Sequence, residues 1–121
     1  MDAIAAVTAL NALAQETRLG VFRRLVAAGT AGLPAGGIAR GMGVPHNTMS
    51  AHLAVLVRAG LVTSRRDGRS VIYAADLPGL RALLGFLLED CCGGRAEMCA
   101  PLLDTVLAAA KAASCCVKET A

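Results

Sequence analysis

The sequence predicts a mainly α-helical domain carrying a single β-hairpin. Three observations predict it. Alanine and leucine supply most of a 55% hydrophobic content in which aromatics are only 2%, and both are strong helix formers. Apolar residues recur at helical spacing on either side of the middle of the chain. Between those stretches the period changes to a β-like one, interrupted by Asp67-Gly68, a hairpin-turn dipeptide. At 121 residues the chain has the length of one domain, and one domain spanning 1–121 is expected.

Each element has its own signal. Ile4, Val7, Leu10 and Leu13 recur every third residue and predict a first helix near Asp2 to Ala14. A second begins near Glu16, with Leu19, Phe22, Leu25 and Val26 on one face, and ends at Gly29 and Gly32. A short helix follows from about Pro34 to Met42, with proline suited to its first turn. Gly43-Val44-Pro45 makes a tight turn, and another helix covers about His46 to Ala59 before Gly60. Leu61 to Arg66 and Arg69 to Ala74 are rich in Val, Ile, Thr and Tyr, as strands are. The helical period returns from Leu77 to Cys92 through Leu80, Leu83, Leu84, Leu87 and Leu88. Gly93-Gly94 breaks that helix, and a last one is expected from near Pro101 to about Ser114.

The two helices joined by Gly43, over 34–60, have helix-turn-helix anatomy. Ala39 lies four residues before Gly43, where a small side chain lets the helices approach. Met49, Leu53 and Leu56 fall at i, i+4 and i+7 and form the buried face of the second helix. His46, Asn47, Thr48, Ser50, Ala51 and Val55 occupy the opposite face. Short polar groups near a helix N-terminus suit base edges and phosphates. The hairpin over 61–75 then serves as a wing, with Arg65, Arg66 and Arg69 near its tip.

Charge agrees with this placement. The net charge is +3, but Gly36 to Ala75 alone carries +4, from Arg40, Arg58, Arg65, Arg66 and Arg69 against Asp67. The remainder sums to −1. Basic charge confined to one segment is the electrostatic footprint of a nucleic-acid contact. His52 has two readings, a phosphate contact or a histidine packed against the hairpin.

The five cysteines all lie in the last third. Cys91-Cys92 and Cys115-Cys116 are adjacent pairs, with Cys99 between them. Adjacent thiols do not have the C-x2-C spacing of a zinc ribbon. They suit a soft thiophilic centre, or redox chemistry between thiols. Catalysis is not expected: no cysteine has an arginine six residues on, as a phosphate-type loop would need, and there is no C-x-x-C.

The segment VPHNTMSAHLAVLVRAGLVTSRRDGRSVIYAA resembles the winged helix of the ArsR/SmtB family of bacterial metal-sensing repressors. Gln15-Glu16-Thr17-Arg18-Leu19 resembles the start of that family's second helix, so the resemblance runs from about Leu10 to Leu88. It implies a winged helix-turn-helix that binds a double-stranded DNA operator as a homodimer through its first and last helices, here 1–14 and 77–114. It places His46, Asn47, Thr48, Ser50, Ala51, His52, Arg58, Arg65, Arg66 and Arg69 at the DNA. Pro45 departs from the family, which often has a serine N-cap there.

The resemblance also narrows the ligand. The short helix over Ala35 to Arg40 has no cysteine, and Leu77 to Asp90 has no histidine, so two of the family's sensing sites are absent. What remains resembles the branch that senses trivalent arsenic or antimony, with Cys91, Cys92 and Cys99 as ligands. In a continuous helix Cys92 and Cys99 would stand roughly 10 Å apart along the axis. Gly93-Gly94 lets the chain fold back and bring three thiolates together. Cys115 and Cys116, in the tail 115–121, are an accessory capture site, partners across the dimer, or plain tail thiols. No permanent cofactor is expected; As(III) or Sb(III) would be the inducing ligand. The alternatives are a thiol redox sensor and a cadmium or lead sensor. The start lacks a basic n-region and no apolar run reaches membrane-spanning length. A cytoplasmic protein with free thiols, and no membrane partner, is therefore expected.

Overall fold

The computed structural model describes residues 1–88. The chain divides into two units, Met1–Phe86 and Leu87–Ala121, and the fold below is that of the first. In order it comprises α1 (Ala3–Leu13), α2 (Glu16–Ala28), a 3-10 turn (Gly29–Ala31), β1 (Leu33–Pro34), α3 (Ala35–Met42), α4 (His46–Arg58), β2 (Val62–Asp67), β3 (Ser70–Ala75) and α5 (Leu77–Leu87). The chain is mainly helical with a small antiparallel sheet, as expected.

The helix ends follow from local chemistry. Asp2 caps α1 by accepting from the Ala5 N–H at 2.8 Å, and Gln15 caps α2 by accepting from Arg18 N–H at 2.7 Å. Asp76 does the same for α5, accepting from Gly79 N–H at 3.0 Å. The end of α4 is closed by Gly60, whose N–H reaches the Val57 carbonyl at 3.0 Å while Leu61 N–H reaches Leu56 at 3.1 Å. Leu56 and Leu61, the apolar pair of this closure, are both fully buried.

The core gathers Val21, Phe22 and Leu25 of α2, Ile38 of α3, Met49, Leu53 and Leu56 of α4, Leu61, Val62 and Leu83. From α1 it takes Ala6, Ala9 and Ala12, with the half-buried Leu13 packed against it. The other large apolar residues of α1 face outward: Ile4 is 79% exposed, Val7 55% and Leu10 41%. Leu84 and Leu87 of α5 are also exposed. On α2, Leu19 and Val26 lie at the surface, so the packed face is Val21-Phe22-Leu25 rather than the four residues that periodicity grouped. Alanine is the physical reason on α1, because its small side chain lets the helix lie close against α2 and α4.

The sheet has the order β1-β3-β2, antiparallel throughout. Two features differ from expectation. Leu33–Pro34 forms an unanticipated edge strand, pairing with Tyr73 and Ile72; proline is tolerated there because an edge needs no further donor. The hairpin turn also lies one residue later. Asp67 pairs with Ser70, so the connecting residues are Gly68 and Arg69 rather than Asp67 and Gly68. Helix α5 ends at Leu87; the expected continuation to Cys92, the Gly93-Gly94 break and the helix from Pro101 to Ser114 lie outside the described residues.

Candidate nucleic-acid interface

The turn between α3 and α4 aims the second helix. Gly43 adopts the left-handed conformation, φ 65° and ψ 32°, where a side chain would be strained. Its N–H bonds to the Arg40 carbonyl at 3.3 Å, and Val44 N–H bonds to Ala39 at 3.0 Å. Ala39 is itself buried. Met49, Leu53 and Leu56 then anchor α4 to the core with no exposure. That leaves His46, Asn47, Thr48, Ser50 and Ala51 exposed along the first two turns of α4. Val55, grouped with them by sequence, is half-buried and packs against the core. Arg58 is exposed in the last turn.

The three wing arginines are not equivalent. Arg66 and Arg69 are exposed and donate to no protein acceptor among the described residues. Arg65 folds back instead: its guanidinium donates to the Thr30 carbonyl at 3.2 Å and the Ala31 carbonyl at 2.8 Å. It ties β2 to the 3-10 turn. His52 is half-buried and stands 3.4 Å from the Arg18 guanidinium, so it packs toward the start of α2.

Between wing and α4 runs a cleft of about 300 Å³. Its wall includes His46 and Ser50 of α4, Arg69, Ser70 and Tyr73 of the hairpin, and Ala35 and Gly36 at the start of α3. A second, more open hollow of about 410 Å³ is lined by Arg40, Pro45 and His46, again with Gly36. Both hollows adjoin helix N-termini without a side-chain cap. Pro34 precedes α3 and Pro45 precedes α4, and neither makes a side-chain cap hydrogen bond. The other α-helices, α1, α2 and α5, each have one. Free backbone N–H groups and the positive end of a helix favour anions.

Sequence reasoning singled out His46, Ser50 and Arg69 but not Ser70 or Tyr73. Tyr73 is the only tyrosine of the chain, and that rarity was the available signal. All five cysteines lie outside the described residues. Among the described residues no group of three or more His, Cys, Asp or Glu is placed to hold a metal ion, and no helix is long and apolar enough to cross a membrane.

A two-helix reading unit with a basic hairpin beside it defines a winged helix-turn-helix DNA-binding regulator. The family described as a helix-turn-helix domain matches residues 13–65. Among solved structures, the chain is similar to an ArsR-like transcriptional regulator from Rhodococcus sp. RHA1, with 28% identity, TM-score 0.62, and coverage of 89% of this chain and 91% of that one. It is 31% identical to the transcriptional regulator HlyU from Vibrio vulnificus, with TM-score 0.54 and coverage of 72% and 88%. It is 27% identical to a homodimeric winged helix-turn-helix DNA-binding domain from Mycobacterium bovis, a possible ArsR-family regulator, with TM-score 0.57 and coverage of 76% and 85%. No curated protein matches the chain. The chain belongs to the ArsR family of transcriptional regulators; it is a DNA-binding regulator and not an enzyme.

Proposed function

We propose that the chain is a homodimeric repressor that holds an operator in its free state and lets go when trivalent arsenic or antimony binds its cysteines. One observation carries the ligand: Cys91, Cys92 and Cys99 follow α5 closely in sequence, with a Gly-Gly step between second and third. A trivalent metalloid takes three soft ligands, and thiolates are the softest that proteins offer. Near-complete switching requires the ligand to favour the released state by about 5.5 kcal/mol. The deciding experiment is release of operator DNA across a panel of arsenite, antimonite, cadmium, lead and peroxide. Release by the first two supports the proposal. Release by peroxide alone would make the protein a redox sensor, and release by cadmium or lead alone a soft-metal sensor.

The dimer reading is supported by the apolar stripe of Ile4, Val7 and Leu10 on α1 and, on α5, by the exposed Leu84. A stripe of this kind on a small domain marks an interface. The homodimeric Mycobacterium bovis neighbour agrees. Two α4 helices would then meet successive major grooves about 34 Å apart. Val7→Glu places a charge in the stripe. It is expected to give a monomer by sedimentation and to weaken operator binding by about a hundredfold or more, since the second half-site is lost. A Val7→Glu dimer that binds normally would remove α1 from the interface.

DNA contact is assigned to His46, Asn47, Thr48, Ser50 and Ala51 on α4, with Arg58, Arg66 and Arg69. The uncapped starts of α3 and α4 and the cleft beside Arg69 support a phosphate there. Arg66→Ala and Arg69→Ala are each expected to lower the slope of log K against log salt by about 1. Arg65→Ala is expected to leave the slope nearly unchanged and to lower stability by about 1 kcal/mol, because its partners are the carbonyls of Thr30 and Ala31. The reverse ranking of slopes would mean that Arg65 leaves the turn when DNA binds.

A further inference from the structure

We propose that Arg18 and His52 are positioning residues for operator recognition, a latch that fixes the DNA-reading helix against the end of α1. Arg18 lies in the first turn of α2 and is half-buried. Its Nε donates to the Ala12 carbonyl at 2.7 Å, and one terminal nitrogen to the Asn11 carbonyl at 3.4 Å. These carbonyls belong to the last turn of α1, where a helix carries partial negative charge; that of Asn11 also accepts from Ala14 N–H at 3.2 Å. The other terminal nitrogen stands 3.4 Å from Nδ1 of His52, on α4. A guanidinium only donates. Toward it, Nδ1 of His52 can act only as acceptor.

One side chain of α2 thus touches two other helices, α1 and α4. Its rigid fork distributes fixed directions to the end of α1 and the middle of α4, which a lysine could not reproduce. The seat of α1 is otherwise made by Ala6, Ala9 and Ala12, which interlock little, and by Leu13 at its last residue. His52 is one residue before Leu53 and two after Ser50, between the core anchor and the reading face of α4. The latch therefore sets the rotation of α4 about its axis, and so where Asn47, Thr48 and Ser50 point. It also offers a route by which displacement of α1, the helix bearing the stripe of Ile4, Val7 and Leu10, would turn the reading face. This inference rests on α4 being the DNA-reading helix.

The test uses full-length protein and a DNA sequence that the wild type selects from a random pool. Four variants are compared by fluorescence anisotropy on that sequence and by thermal melting. His52→Leu removes the acceptor. His52→Asn keeps one, since Asn Oδ1 stands near the place of Nδ1. Arg18→Lys removes the fork but keeps the charge. Thr48→Ala reports on α4 itself. The expected result is about a tenfold loss of affinity for His52→Leu and Arg18→Lys, with His52→Asn restored to within about twofold of wild type. A purely structural histidine would not be rescued in this way, and its loss of affinity would track its loss of melting temperature. If His52→Asn binds as weakly as His52→Leu, the latch is wrong. If His52→Leu binds as wild type while Thr48→Ala is weakened, the latch is wrong and the assignment of α4 stands. If neither is weakened, both fall together. Should His52→Leu fail to fold, the comparison of His52→Asn with Arg18→Lys decides: recovery in the first and loss in the second supports the latch, and equal affinities overturn it.

Discussion

Cys91→Ser, Cys92→Ser and Cys99→Ser proteins are each expected to hold operator DNA as the wild type does and to stay on it when arsenite is added. Serine keeps the size of cysteine and loses the soft sulfur, so it removes a ligand without opening a cavity. A three-thiolate centre loses a third of its bonds in each variant. Switching needs about 5.5 kcal/mol of preference for the released state, and the remaining two bonds would have to supply all of it. The double Cys115→Ser/Cys116→Ser variant is expected to keep most of its response. X-ray absorption should find three sulfurs per metalloid in both the wild type and that double variant. A silent double variant would move the sensing site to the tail. A normal response from Cys99→Ser would reduce the site to two thiols and favour a monosubstituted arsenical.

Gly79→Ala is expected to destabilise the domain by about 3 kcal/mol and to lower the melting temperature by about 10 °C. A Cβ at Gly79 would collide with the carbonyl oxygen of Gly60. Both partners are backbone, so no side chain can rotate aside. The start of α5 would have to lift from the end of α4. That movement would disturb Asp76 N–H, bonded to the Leu61 carbonyl at 2.8 Å, and Leu83, which is buried in the core. Gly85→Ala on the same helix is the control. Among the described residues nothing lies within 4 Å of a Cβ there, so alanine should add about 1 kcal/mol through helix propensity. Calorimetry of the two variants separates close approach from propensity. Equal melting temperatures would show that α5 yields to the added methyl at no cost.

Much of this architecture is legible in the residues themselves. Met49, Leu53 and Leu56 define a buried face by spacing alone, and all three are fully buried. Gly43 and Gly60 mark helix ends because left-handed backbone suits glycine. The failures share a cause: they depend on partners distant in sequence. Arg65 reads as a wing-tip cation until the carbonyls of Thr30 and Ala31, brought near by folding, take it up. Leu33–Pro34 becomes a strand only because β3 lies beside it. His52 reads in sequence as a phosphate contact or a residue packed against the hairpin; folding sets it beside Arg18, 34 positions away. On α1 the period identified the apolar stripe correctly but could not tell whether the chain's own core or another surface would meet it. The core took the alanines. Cys91, Cys92 and Cys99, by contrast, are legible only as chemistry.

The prolines before α3 and α4 combine two properties that usually exclude each other. A capping serine or aspartate steadies the start of a helix by taking up its N–H groups, and those groups are then spent. Proline steadies the same place by fixing its own φ, here −73° at Pro34 and −56° at Pro45, and takes up none of them. The path of the chain into each helix is thereby preorganised while its donors stay unoccupied. An anion arriving there meets a rigid receptor, so less of its interaction is consumed in ordering backbone. Thus Pro45, a departure from the family pattern, gives stiffness and open donors at the same point.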